Sequence, residues 1–345
     1  MTNQRYDYID YAKGLGILLV VWAHILTVGW SHQVIYAFHM PLFFFISGML
    51  FRKDKYTSLM QFITVRAKRL LIPYFIYSVA TWVVWALFRY LRHDDVASFW
   101  KPLLQIFFAQ GSGEFLVHNS ALWFIPCLFA VEVMYFFFSR LNRQWLTLAF
   151  CFLTAAAGVV LSCIFGANYL FLLPWNLDAA FYALPFYGIA NTVMHYTSHS
   201  KLLDYCKDNR WTAFFAAIIF AVIMINMALS SGECSMGSSS YNCNELIFFG
   251  RALCGCTALL LTTLLISSFD KTPKIMQWIR WCGANSLDIM CLHIPIKGVA
   301  IIVLAKLLQL SIDISTSWVY SSIVFVITIL AMIPIILLIN RFFRR

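Results

Sequence analysis

Gly14-Leu15-Gly16-Ile17-Leu18-Leu19-Val20-Val21-Trp22-Ala23-His24-Ile25-Leu26-Thr27-Val28-Gly29-Trp30-Ser31 is an apolar run with one ionisable side chain, His24. As a helix it rises about 27 Å, close to the ~30 Å hydrocarbon core of a bilayer. A second run follows almost at once, from Val34 to Phe51, behind the short turn Ser31-His32-Gln33. The pattern continues through the chain. Of its 345 residues, 61% are hydrophobic and 12% charged, against roughly 25% charged in a soluble domain. Spans are expected near 14–31, 34–51, 70–90, 121–139, 145–165, 170–193, 212–230, 246–268, 284–309 and 317–340. The fold class is therefore an all-α membrane protein, a polytopic bundle of about 10 transmembrane helices. A single membrane-embedded domain, 1–345, is expected, with no separate soluble domain. The first run lacks a small-residue cleavage site and leads straight into a second, so residues 14–31 are expected to remain as a helix.

The net charge of +10 sits in loops, which argues against nucleic acid as a partner. With the N-terminus inside, nineteen Lys and Arg fall on the inner side and three (Arg89, Arg92, Lys101) on the outer side. The positive-inside rule and an even number of spans then put both termini in the cytoplasm. Ten cysteines are mostly scattered singly, as small hydrophobes, and Cys254/Cys256 lack the spacing of a zinc pair; no metal is expected. Cys234 and Cys243 lie in a Ser/Gly-rich outer loop, where an oxidising compartment permits a disulfide. The outer segment 91–120 contains the apolar piece Leu103–Ala109. It is expected to lie along the membrane surface or to fold partly back over the bundle.

Ionisable groups inside spans are costly and mark pathways or catalytic centres by default. His24 lies about 16 Å above Lys13 along its helix, and His39 descends roughly 8 Å into the second span, so the two can face one another across the turn. Glu132, Asp178, Arg251, His293 and Lys297 fall at the middle or outer half of their spans. Each also has a bland reading. His24 and His39 can be interhelical hydrogen-bond partners, and Glu132 and Asp178 counter-ions to Arg251 or Lys297. His293, in Leu292-His293-Ile294-Pro295, can satisfy backbone freed by the proline, and Arg251 reads as a snorkelling side chain or a structural ion pair. At the inner end of the third span, Arg66 and Arg69 share a helix face beside Lys68, which suits bidentate contacts to phosphate. With Asp10 and Lys13 they suit a phosphorylated donor on the cytoplasmic side, while the histidines suit acid/base chemistry.

Tyr8-Ile9-Asp10-Tyr11-Ala12-Lys13-Gly14, His24 after ten intervening residues, and Phe38-His39-Met40-Pro41-Leu42-Phe43-Phe44-Phe45-Ile46-Ser47-Gly48 resemble the opening of the acyltransferase type 3 family of bacterial membrane O-acyltransferases. Lys13 stands where many members have arginine. Arg66-Ala67-Lys68-Arg69 is similar to the family's paired-arginine motif, and weaker echoes lie at Leu122-Trp123-Phe124 with Glu132 and at Ser286-Leu287 with Leu292-His293-Ile294-Pro295. The resemblance implies transfer of an acetyl or short acyl group from cytoplasmic acetyl-CoA to a hydroxyl of a cell-surface polysaccharide or glycolipid, at the bacterial inner membrane. It implies His24, His39, Lys13, Asp10 and Glu132 as the catalytic set. Arg66, Arg69 and Lys68 would hold the donor, and Asp178, His293 and Trp123 the acceptor. Expected partners are acyl-CoA, the glycan acceptor and membrane lipid; a homo-oligomer is compatible. Without the hydrolase-like domain of longer members, only transfer chemistry is expected. The competing expectation is a proton-coupled transporter or flippase in which His24, Glu132 and Asp178 relay protons.

Overall fold

Apolar length dictates helix here, because a bilayer offers no water to satisfy exposed backbone groups. The computed structural model describes residues 6–91, 93, 99–111, 115–165, 173–237, 240–241, 244–269, 272–309 and 316–343. The helices are α1 (Asp7–Ile25), α2 (Trp30–Tyr36), α3 (His39–Met49), α4 (Leu59–Leu91), α5 (Trp100–Phe108), α6 (Phe124–Ser139), α7 (Gln144–Phe165), α8 (Leu177–Tyr196), α9 (His199–Asp208), α10 (Arg210–Ser230), α11 (Glu245–Ser267), α12 (Lys274–Ala284), α13 (Ser286–Leu308) and α14 (Trp318–Phe343). A small ribbon, β1 (Cys234–Ser235) with β2 (Ser240–Tyr241), joins α10 to α11. Among the described residues, eight of the helices are long and apolar enough to cross a membrane, and the protein is an all-α polytopic membrane protein.

Two of the ten expected spans take a different form. Residues 34–51 do not make one rod: α2 ends at Tyr36 and α3 restarts at His39. Pro41, in the first turn of α3, fits the restart, since it has no N–H to give the preceding turn and its ring crowds the carbonyl four residues back. The eleven residues of α3 rise about 16 Å, roughly half a bilayer. The span expected at 170–193 begins later, as α8, after a turn in which Trp175 and Asn176 take φ values of 60° and 47°. From Asp178 to Gly188, α8 is buried almost all round, as suits a stretch carrying Asp178, Tyr182 and Tyr187 that faces protein rather than lipid.

The chain forms two compact units. The first comprises Met1–Ile46, Val193–Cys234 and Tyr241–Arg345; the second comprises Ser47–Thr192 and Ser235–Ser240. In the first, α1 is central and packs on α2, α11, α12, α13 and α14, while α10 pairs with α11. Its closest approach is to α12. A Cβ on Gly14 would lie 2.0 Å from the carbonyl oxygen of Ile279, and one on Gly283 would lie 1.8 Å from that of Asp10. Glycine at both points lets the two backbones touch.

In the second unit α6 packs on α4 and α7. The stretch expected to rest on the surface or fold back takes the second course. Phe99 O accepts from Trp82 Nε1 at 3.1 Å, and Ile106 O accepts from Tyr74 Oη at 2.5 Å. Thus α5 runs back along α4, towards its N-terminal half. Beyond it, Gly111 N donates to Asn176 Oδ1 at 2.7 Å, and Asn176 Nδ2 donates to Gly237 O at 3.1 Å. The backbones of Gly111 and Gly237 press on the ring of Trp123 so closely that a Cβ on either would lie 2.6 Å from it.

Candidate functional site

The first unit gathers histidines from three helices around α1. His24, in the last turn of α1, faces His293 of α13 with ring centroids 5.1 Å apart. Tyr36 of α2 joins the others: its ring is 6.3 Å from His24, 4.7 Å from His39 and 4.1 Å from His32. Tyr36 thus lies against both His24 and His39. His39 and His293 are buried, His24 half-buried.

Hydrogen bonds place a hydrogen on Nδ1 of two of these rings. His39 Nδ1 lies 2.9 Å from Ile35 O, and His293 Nδ1 lies 2.8 Å from Met290 O and 3.2 Å from Ile289 O. A carbonyl oxygen only accepts, so in each ring Nδ1 carries a hydrogen, and in the neutral imidazole Nε2 then presents a lone pair. His293 Nε2 is buried and has no hydrogen-bond partner among the described residues. Nor does His293 mend a break: Pro295 frees the carbonyl of Cys291, not the two that His293 bonds. Lys297, one turn further along α13, donates from Nζ to His24 O at 2.5 Å. At the edge of the cluster His32 Nδ1 lies 3.4 Å from Glu233. Burial lowers the His32 pKa below its ordinary value, and Glu233 pulls it partly back.

Asp10 and Lys13 share one face of α1, Asp10 buried and Lys13 half-buried, near the crossing with α12. Arg251 is fully buried rather than snorkelling. Its Nη1 donates to Ser231 Oγ at 3.0 Å and to Gly232 O at 2.8 Å, and among the described residues it makes no ion pair.

In the second unit Arg66 of α4 forms a charge-assisted hydrogen bond with Glu132 of α6. Glu132 is buried, and the guanidinium also lies over Phe62, 5.7 Å from its centroid. The counter-ion of Glu132 is thus Arg66, not Arg251 or Lys297. Lys68 and Arg69, next along α4, are exposed. Asp178 is buried in the first turn of α8, where the helix dipole favours a carboxylate; Trp123 is buried in the clamp described above.

A family model described as an acyltransferase domain, of acyltransferase type 3, matches residues 6–337. The chain belongs to this family. The match runs through both units and nearly the whole chain, so the protein is a multi-pass membrane acyltransferase. No curated protein and no solved structure matches it.

Among the described residues of this acyltransferase, no group of three or more His, Cys, Asp or Glu is placed to hold a metal ion. Cys234 is buried in β1, while Cys243 lies outside the described residues, and so does the pairing expected of it. Sequence reasoning passed over Tyr36 and Tyr8 in the first unit, and it saw Lys297 without its partner. Tyr36 was within reach, because it stands four residues after His32 and three before His39, spacings that share a helix face. Lys297 was visible as a cation in a span, but its partner is a backbone oxygen, which no side-chain pattern announces. Tyr8 Oη, 2.6 Å from His199 Nδ1, joins residues far apart in the chain.

Proposed function

We propose that this acyltransferase moves an acetyl or other short acyl group from cytoplasmic acetyl-CoA to a hydroxyl of a cell-surface polysaccharide or glycolipid sugar. The observation that carries the reading is the cluster of His24, His39 and His293, two of whose rings present lone pairs when neutral. Deprotonating an alcohol needs a neutral imidazole. His24 acts as general base on the acceptor hydroxyl, or accepts the acetyl group first and relays it. His39, Asp10 and Lys13 orient His24 and the donor. Exposed Lys68 and Arg69 take the phosphates of the donor. Arg66, committed to Glu132, completes that basic strip. Asp178, Trp123 and His293 bind the acceptor.

In the direct route the acceptor oxygen attacks the thioester carbonyl as its proton passes to His24. A C–O bond forms, the C–S bond breaks, and the thiolate of CoA leaves with that proton. The setting is the inner membrane of a bacterium.

The test is radiolabelled acetyl-CoA with purified protein in detergent and an envelope glycan fraction from cells lacking the chain. Label should enter the glycan, and His24→Ala should reduce the rate by about 10²-fold or more. Transfer undiminished in His24→Ala would refute the mechanism. No label from any acyl-CoA, with solute uptake driven by a proton gradient, would favour a carrier instead.

A further inference from the structure

We infer that Lys297 is a catalytic residue whose ammonium carries the negative charge that develops on the acyl carbonyl oxygen; this rests on the acyl-transfer reading above. Lys297 follows His293 by four residues on α13, so the two side chains lie on one face. Its Nζ reaches the carbonyl of His24, the residue whose ring faces His293. Among the described residues no carboxylate forms an ion pair with it. A cation in a membrane-spanning helix with no opposing charge is costly, and such residues persist where function requires them.

The bland account is a helix cap. The carbonyl of His24 is one of the last in α1, unsatisfied within the helix, and a cation there meets the negative end of the dipole. A cap, however, uses one of the three ammonium hydrogens, and a neutral amide would serve as well without a charge at that depth. The other two N–H groups have no hydrogen-bond partner among the described residues, and Nζ stands at the backbone of the residue whose ring faces His293.

Acyl transfer supplies a use for them. When the acceptor oxygen bonds to the thioester carbon and its proton passes to His24, the π electrons of the carbonyl move onto oxygen. That oxyanion is stabilised by a donor already in place. As the carbonyl reforms, the C–S bond breaks and the thiolate takes the proton back from His24. Lys297 neither gains nor loses a proton in the cycle, so it is needed for charge alone.

Two variants separate charge from capping. Lys297→Gln keeps a hydrogen-bond donor for His24 O and removes the charge; Lys297→Arg keeps the charge. With radiolabelled acetyl-CoA and the same glycan fraction, Lys297→Gln should lose about 10²–10³-fold in turnover while its KM for acetyl-CoA stays within about threefold. Lys297→Arg should retain more than about a tenth of wild-type turnover. Lys297→Gln within about threefold of wild type would overturn the inference, leaving a cap. So would a change in KM alone, or an arginine variant as slow as the glutamine one. If Lys297→Gln fails to fold, the Lys297→Arg turnover decides. Failure of the wild type to transfer label would instead remove the acyl-transfer reading itself.

Discussion

Replacing Gly283 by alanine reverses the sign that helix propensity predicts. Gly283 lies inside α12, where alanine is intrinsically better than glycine by about 1 kcal/mol. In this fold the new Cβ would stand 1.8 Å from Asp10 O and 2.9 Å from Gly14 N. Ordinary carbon to oxygen contact is about 3.3–3.6 Å, so the helices must separate by roughly 1.5 Å. Both obstructing atoms are backbone and cannot rotate away. Forcing extra carbon into such a contact costs about 1–3 kcal/mol and occasionally more; the rigid neighbours put Gly283→Ala at the upper end, for a net loss of about 2 kcal/mol. At about 2–4 °C per kcal/mol, the unfolding midpoint in detergent should drop by roughly 4–8 °C. Gly298 on α13 is the control, because a Cβ there meets nothing within 4 Å; Gly298→Ala should hold or raise the midpoint. A Gly283→Ala midpoint equal to or above wild type would refute the close packing of α12 on α1. Activity should fall as well, because α1 carries Asp10, Lys13 and His24.

Further expectations follow from the other charged contacts. Glu132→Gln leaves Arg66 without its counter-ion and should lower stability by about 3 kcal/mol or more, whereas Arg66→Met with Glu132→Leu should recover most of it; strictly additive losses in a double-mutant cycle would show the pair to be uncoupled. His32 titrates lower in the fold than in the unfolded chain, so the unfolded state takes up its proton first and stability declines as pH falls below about 6.5. Glu233 counters that decline, and Glu233→Gln should steepen the fall in midpoint between about pH 7 and pH 5. Equal slopes would dismiss the contact.

The spans were legible because apolar length has one common answer in a bilayer. The break between α2 and α3 was legible in Pro41, although the run of phenylalanines after it reads as one continuous helix. The course of α5 was not settled by its sequence. Its nine residues have an apolar face that suits either lipid headgroups or the flank of α4, and only packing decides. His24 and His39 could be brought together by counting along a hairpin. The Arg66 to Glu132 pair could not, because helix depth says which residues lie level but not which helices are neighbours. The same gap hid the link between Lys297 and His24. Arg251 misled because long cations near helix ends usually reach outward, whereas a loop carbonyl and a serine hydroxyl hold this one inside.

The backbone bonds of His39 and His293 give the site a direction. When neutral, each ring spends its only hydrogen on a carbonyl of the preceding turn and can offer an incoming molecule nothing but an electron pair. A free alcohol satisfies such an acceptor; the ester made from it, having lost the hydroxyl hydrogen, does not. In the acyl-transfer reading proposed above, His293, which binds the acceptor, would therefore release it once it has been acylated, and a sugar already carrying the group at that position would compete poorly for entry.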